Sequence, residues 1–398
     1  MTAPLQGIRI VDLTTVFSGP MAATLLSDQG AEVIKIESPE GDTSRLIGQT
    51  KGDLSSSFIA ANRGKRCIAL DLKHPAARDI VLALLARADV LMENFRPGVM
   101  SRLGLDDAGL AARFPALIRL AITGFGATGP RAADKAYDAV IQAVGGVAAS
   151  QRDPHTGDPV MLQTTVCDKV TALTAAQAVT AALFARSRDG LGRRVEVSML
   201  DATLAFQWPD AMFNHVFLDA PPAAMPEFGA TQRPWRTADG FVATMVPQQG
   251  EFIGLCRALG RPDLALDPRF ASQPARYRNG PALRELLEPL MAGFDRATLE
   301  AACRTHGVPM GVLNERAEVL ADPQVLHNAV LVTVANGDAG RVRVARAAAL
   351  FDGQPQQPHS GAGRLGEHGR AVLAELGLAP DAVDRLVADG VVRLPAPA

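Results

Sequence analysis

Residues 8–36 read IRIVDLTTVFSGPMAATLLSDQGAEVIKI. Ile8 to Leu13 is a short run rich in β-branched residues and predicts a strand. Gly19-Pro20 then opens a helix with proline in its first turn and Gly30 near its end, and Glu32 to Ile36 predicts a second strand. Strand, crossover helix and strand in this order form a βαβ unit, the seed of a parallel sheet. The pattern continues outward: Cys67 to Leu72 reads as a strand, Ala76 to Ala88 as an amphipathic helix, and Val90 to Phe95 and Leu117 to Ile122 as further strands. Repeated alternation of this kind predicts an α/β protein with a Rossmann-like, doubly wound domain on a parallel sheet.

Such sheets bind ligands beyond the carboxyl ends of their strands, so the segments after each strand are where chemistry is expected. The first strand leads into Val16-Phe17-Ser18-Gly19-Pro20, which lacks the G-x-G-x-x-G of a dinucleotide site. The others lead to Lys73, to Asn94-Phe95-Arg96-Pro97-Gly98 with Arg102, and to Lys135-Ala136-Tyr137-Asp138. Taken singly, each Lys or Arg is an ordinary solvated charge. Gathered on one sheet edge with a few aromatics, they suit a ligand that carries phosphates and a base.

A second landmark is Thr164-Thr165-Val166-Cys167-Asp168-Lys169. From Val170 to Ala185 no charged residue occurs, a run too short to cross a bilayer and long enough for four helical turns, which predicts a buried core helix. Asp168 falls near its start, where unpaired backbone N–H groups and the helix dipole favour negative charge. Locally this is either a helix N-cap or an ionised nucleophile or base in a half-dry setting. The adjoining Cys167 has no histidine near it in sequence to activate it and reads as a small buried hydrophobe.

The chain has 398 residues, 47% apolar and 21% charged, with a formal net charge of −2. That length accommodates a large domain and a smaller companion, and that charge gives no overall field for nucleic acid or anionic lipid. The four cysteines and seven histidines are scattered, so no metal site is expected. The N-terminus MTAPLQGIRIVDLT carries no leader pattern and no apolar run reaches membrane length, so a cytoplasmic protein is expected. Breaker-rich segments at Ala220 to Pro226 and Gly353 to Gly363 divide the chain into a first part of a large domain at 1–219, a small α/β domain at 220–330, and a linker with return to the large domain at 331–398.

Taken together, PLQGIRIVDLT with SGP, GAEVIKIE, NRGKR, LDLK, ENFRPG followed by LGL, YDAVIQAVGG, the Asp168 segment, GLGRRVEVSMLDA, RTADG and LGEH resemble the family III CoA-transferases over nearly the whole chain. The resemblance implies an interlocked homodimer of two-domain subunits, the large domain built from both chain ends. It implies transfer of CoA from an acyl-CoA thioester to a free carboxylic acid, with the CoA thioester as substrate and no permanently bound cofactor. Asp168 becomes the nucleophile, and Leu70, Asp71, Leu72, Lys73, Asn94, Phe95, Arg96, Arg102, Lys135 and Tyr137 become contacts of CoA. Phe17, Gly229 and Gln232 are assigned to the acyl group, backbone N–H groups near Gly145-Gly146 or the Gly229 loop to an oxyanion, and Arg233 or Arg236 to a distal carboxylate of a small dicarboxylate such as succinate.

Departures from the family pattern carry information too. Phe17 stands where the formyl-CoA enzyme has glutamine, Gly229-Ala230-Thr231-Gln232 is barer than its glycine run, and Ser38 replaces an arginine near the adenine; the acyl group is expected to be neither formyl nor oxalyl. The alternative activity, a 2-methylacyl-CoA racemase or epimerase with Asp168 as base, lacks its histidine, because Tyr137 precedes Asp138.

Overall fold

A computed structural model of the chain describes residues 3–153, 156–219, 222–225, 227, 233–358 and 360–395. It separates into two compact units, Met1–Trp208 with Asn328–Ala398, and Pro209–His327. The first is built on a seven-stranded sheet: β1 Arg9–Asp12, β2 Glu32–Glu37, β3 Lys65–Leu70, β4 Val90–Glu93, β5 Ile118–Thr123, β6 Arg194–Ser198 and β7 Val392–Arg393. Their order is β7-β3-β2-β1-β4-β5-β6, and all neighbours are parallel except β7, which runs antiparallel to β3. This is the mixed α/β, largely parallel architecture that the βαβ pattern predicts. The strand order reverses between β1 and β4, which makes the loops after these two strands the switch point of the sheet.

The helices that frame the candidate site are α1 Ser18–Asp28, α2 Pro75–Leu85, α3 Asp138–Val144, α4 Val166–Asp189 and α5 Met199–Gln207. Side chains alternate across a strand, so each strand feeds two cores. Ile10, Met92, Leu120 and Ile122 pack with Ala22, Ala23 and Leu26 of α1 and Ala172, Ala175 and Val179 of α4. Val11, Leu13, Ile34 and Leu91 pack on the opposite face with Val81 and Leu84 of α2 and Leu373 of the returning C-terminal segment. Each fully buried aliphatic side chain contributes about 1.5–3 kcal/mol. The alanines shared by α1 and α4 let those two backbones lie close together.

Several boundaries differ from the sequence reading. Strand β3 begins at Lys65 rather than Cys67 and ends at Leu70, because the chain then turns, with the His74 N–H donating back to Asp71 O at 2.9 Å. Helix α4 starts before the uncharged run and continues through Arg186 and Arg188, stopping at Gly190 in the left-handed conformation (φ 75°). It is not buried all round: Leu173 and Phe184, eleven residues and about three turns apart on one face, are 59% and 61% exposed. Helix α5 ends at Gln207, two residues before Pro209, where proline interrupts a helical pattern.

The second unit has an antiparallel sheet of Trp235–Arg236, Phe241–Thr244 and Met310–Val312, with a core of its own around Phe252, Leu255, Phe270, Met291 and Leu299. Arg236 stacks over the ring of Phe241 at 4.8 Å. Among the described residues no helix is long and apolar enough to cross a membrane.

Candidate active site

Asp168 lies in the first turn of α4 and is 7% exposed. It is not the cap of its helix. Thr165 holds that position without a side-chain cap bond, and the donor that Asp168 offers, its backbone N–H, goes to Asp138 Oδ1 at 2.9 Å. Asp138, itself buried, also accepts from Gln142 Nε2 at 2.6 Å, and Gln142 ties down the approach to α4 through Thr164 O at 3.1 Å and Leu162 N at 2.9 Å. One carboxylate thus satisfies the helix end, and the other takes no part in capping it.

The Asp168 carboxyl meets the start of α1. Burial pushes its pKa up to about 7, the nearby Asp138 charge adds to this, and the backbone N–H and hydroxyl of Ser18 with the Lys169 ammonium oppose it. Ser18 is the first residue of α1 and Phe17 its N-cap, so two helix N-termini converge on this carboxyl. The turn into α1 depends on Gly19: a Cβ there would sit 2.3 to 2.6 Å from the Thr14 side chain.

The loop between β1 and α1 is pinned from three sides. Lys35 Nζ donates to Thr14 O at 2.8 Å, Asn94 exchanges bonds with Thr15 N at 2.9 Å and Thr15 O at 2.8 Å, and the Val16 N–H reaches Asp42. Beneath it lies a fully buried charge cluster. Lys65 Nζ bonds Asp12 Oδ2 at 2.9 Å, Pro20 O at 2.8 Å and Asn62 Oδ1 at 2.9 Å, and Lys35 bonds Asp42 Oδ2 at 3.0 Å. Burial works against the Asp12 charge, yet the Lys65 and Lys35 ammonium groups and the Thr14 hydroxyl outweigh it and hold its carboxyl below the usual range.

These residues escaped the sequence reading, although a signal was present. A strand buried on both faces reads as a near-continuous apolar run, and Asp12 in IRIVDL and Lys35 in EVIKI interrupt two such runs. They are direct neighbours in the β1–β2 register.

Of the residues assigned to CoA, Leu70 is buried at the end of β3 while Asp71, Leu72 and Lys73 follow it. Asn94, Phe95 and Arg96 follow β4, and Lys135 and Tyr137 lie in the connection after β5. All therefore leave the sheet at its carboxyl edge. Lys73, Arg96, Arg102, Lys135 and Tyr137 are exposed, and no ion pair among the described residues engages those four cations. Asn94 instead spends its amide on Thr15. A cavity of about 510 Å³ adjoins Phe95, Arg96 and Met100, with Leu91, Glu93 and Arg119 in its wall. Burial pushes the Glu93 carboxyl up to about 7, with the Phe95 N–H and Arg194 pulling the other way.

Gly145 is no oxyanion donor, since its N–H is committed to Ile141 O at 2.7 Å. Gly229 and Gln232 lie outside the described residues, and Arg233 and Arg236 belong to the second unit. No group of three or more His, Cys, Asp or Glu that could hold a metal ion occurs among the described residues.

The family model described as CoA-transferase family III matches residues 5–369. The chain belongs to CoA-transferase family III. Among its relatives in that family are a succinate–glutarate CoA-transferase of Agrobacterium fabrum, 35% identical over 94% of this chain and 96% of the relative, and an acetyl-CoA:oxalate CoA-transferase of Acetobacter aceti, 36% identical over 95% and 97%. A crystal structure of a CAIB/BAIF family protein from Brucella suis superposes with a TM-score of 0.82 at 34% identity, covering 94% of this chain and all (100%) of that one. The family III chain is thus a CoA-transferase, and its α/β fold is shared with solved members.

Proposed function

We propose that this family III enzyme moves CoA between carboxylic acids through a covalent adduct on Asp168. The observation that carries the reading is the carboxyl itself: buried, beside the first N–H of α1, and pushed up to about 7. A carboxylate of raised basicity is a stronger nucleophile, yet still ionised in useful amount near neutral pH. An Asp168 oxygen attacks the acyl carbon, the C–S bond breaks, and an acyl-aspartyl anhydride and CoA thiolate result. The thiolate then attacks Cγ of Asp168; the anhydride C–O bond breaks and the donor acid leaves as a carboxylate carrying one former aspartyl oxygen. The enzyme now holds an aspartyl-CoA thioester.

The acceptor acid reverses the sequence. Its carboxylate attacks Cγ and expels thiolate, and thiolate attacks the acceptor's acyl carbon in the new anhydride, releasing acceptor-CoA and restoring Asp168. When thiolate or carboxylate adds to Cγ, negative charge grows on the Asp168 carbonyl oxygen, and the Ser18 N–H at the head of α1 is the donor on hand to stabilise it. Phe17 lies one residue away and borders the acyl group in this reading, which fits the expectation that the acyl group is neither formyl nor oxalyl.

CoA approaches from the carboxyl edge of the sheet in this reading. Lys73, Arg96, Arg102 and Lys135 supply charge for its phosphates, Phe95 and Tyr137 supply rings, and Asn94 acts by holding Thr15. Small dicarboxylates such as succinate are the acids proposed, with support from the name of the A. fabrum relative. The exposed apolar side chains of Leu173, Phe184, Phe206 and Trp208 support burial against a second copy in a homodimer, for which light scattering should give twice the subunit mass.

The decisive experiment incubates the enzyme with succinyl-CoA and hydroxylamine, followed by mass spectrometry of the peptide carrying Asp168. A hydroxamate on Asp168 supports the reading. An adduct on Cys167, or full exchange activity in Asp168→Ala, overturns it.

A further inference from the structure

Val16 has φ 70°, and the other non-glycine residues with positive φ among those described are Ala329 and Asp352. A β-branched residue in the left-handed region is an outlier. Such strain persists only where the surroundings over-determine it, and it clusters at functional sites. Here the surroundings are specific. The Val16 N–H points between the two carboxylate oxygens of Asp42, at 3.1 and 3.2 Å. Asp42 is fixed in turn by Lys35 Nζ at 3.0 Å, by the Ser44 N–H at 2.9 Å and hydroxyl at 2.8 Å, and by its own N–H to Glu37 Oε2 at 3.0 Å. Lys35 also holds Thr14 O. One buried pair therefore grips the loop on both sides of Thr15, three residues before Ser18.

We propose that Asp42 is a positioning residue for the transfer reaction: by holding Val16 left-handed it sets the Ser18 N–H against the Asp168 carboxyl. The inference rests on the reading of Asp168 as nucleophile. Without the Asp42 charge, Val16 relaxes toward an ordinary backbone conformation and carries Ser18 away from the reacting carboxyl. Substrate capture, which depends on groups elsewhere on the sheet edge, is affected less than turnover. The ionised form of Asp168 loses hydrogen bonds, so the pH at which activity rises moves up. A residue that only stabilised the fold would lower the melting temperature and leave that pH in place.

The test compares Asp42→Asn in the natural background and in a Val16→Gly background, because glycine occupies the left-handed region at little cost. The expected loss of kcat is about ten- to a hundredfold with Val16 present, with KM for succinyl-CoA changed by less than about threefold and a higher pH midpoint. In the Val16→Gly background the same substitution should cost less than about threefold, the non-additivity of two coupled residues. Equal losses in both backgrounds, or an unmoved pH midpoint, overturn the inference. If Asp42→Asn does not fold, Asp42→Glu, which keeps the charge beside Lys35 and displaces the carboxylate from the Val16 N–H, carries the same comparison. Hydroxylamine trapping on the unsubstituted enzyme separates the two failures: no adduct at Asp168 removes the nucleophile reading and this inference with it, whereas a normal adduct with an unaltered Asp42→Asn enzyme removes this inference alone.

Discussion

The backbone N–H of Asp168 donates to Asp138 Oδ1 at 2.9 Å, so one buried carboxylate caps the helix from which the other projects. Two acids in neighbouring positions thereby take different tasks. Each oxygen of Asp138 accepts one of these donors, while the Asp168 carboxyl is governed by its burial, its like-charged neighbour, Ser18 and the Lys169 ammonium.

A pH profile reports this directly. The nucleophile must be ionised and its pKa lies at about 7, so kcat/KM for CoA exchange should rise tenfold per pH unit well below 7 and level off above about 8. A plateau already complete at pH 5 contradicts the raised pKa.

Asp138→Asn keeps the acceptor for the Asp168 N–H and removes the adjacent charge. The midpoint of the same profile should move down by about half a pH unit or more, whereas Asp138→Ala orphans a buried N–H at a helix start and should cost about 1–2 kcal/mol of stability. Chemical denaturation and the pH profile together distinguish the two substitutions.

Asp168→Asn should abolish exchange and stabilise the protein. A carboxyl raised in the folded state favours its protonated form there, so stability falls as pH rises from about 4 through 7 and the full cost stands above 7. Removing the charge recovers on the order of 2–4 kcal/mol at pH 8. The melting temperature of the variant should exceed that of the unsubstituted enzyme at pH 8 and converge with it near pH 4–5; a lower value at pH 8 sinks the assignment.

Lys65→Met tests the charge cluster under the β1–α1 loop. The substitution strands Asp12, which is fully buried, and should cost about 3–5 kcal/mol. Adding Asp12→Asn should return a good part of that loss, since partners in one network do not add. Additive losses in urea titrations would show that the pair acts independently.

How far these features are legible in the chain differs element by element. The βαβ opening, the crossover helices and the location of Asp168 at a helix start follow from local periodicity and from the chemistry of proline, glycine and uncharged runs, which act over a few residues. Short ordered strings also suffice for the family. The helix carrying Asp168 reads in sequence as wholly buried, because a run of alanines and threonines looks the same whether one face or all faces meet protein; Leu173 and Phe184 are exposed nonetheless.

Local sequence is enough to set out the elements and to single out the side chain proposed to react. The tertiary structure alone decided that Asp138 caps α4, that Ser18 meets Asp168, and that Lys35, Asp42 and Asn94 converge on the loop after β1 with Lys65 beneath it. The bonds that fix this loop join residues from 21 positions apart, as with Thr14 and Lys35, to 79, as with Thr15 and Asn94, and such separations carry no local signal. Only the parallel stacking of β3, β2, β1 and β4 brings their ends to one edge, where buried charges must find partners or be expelled.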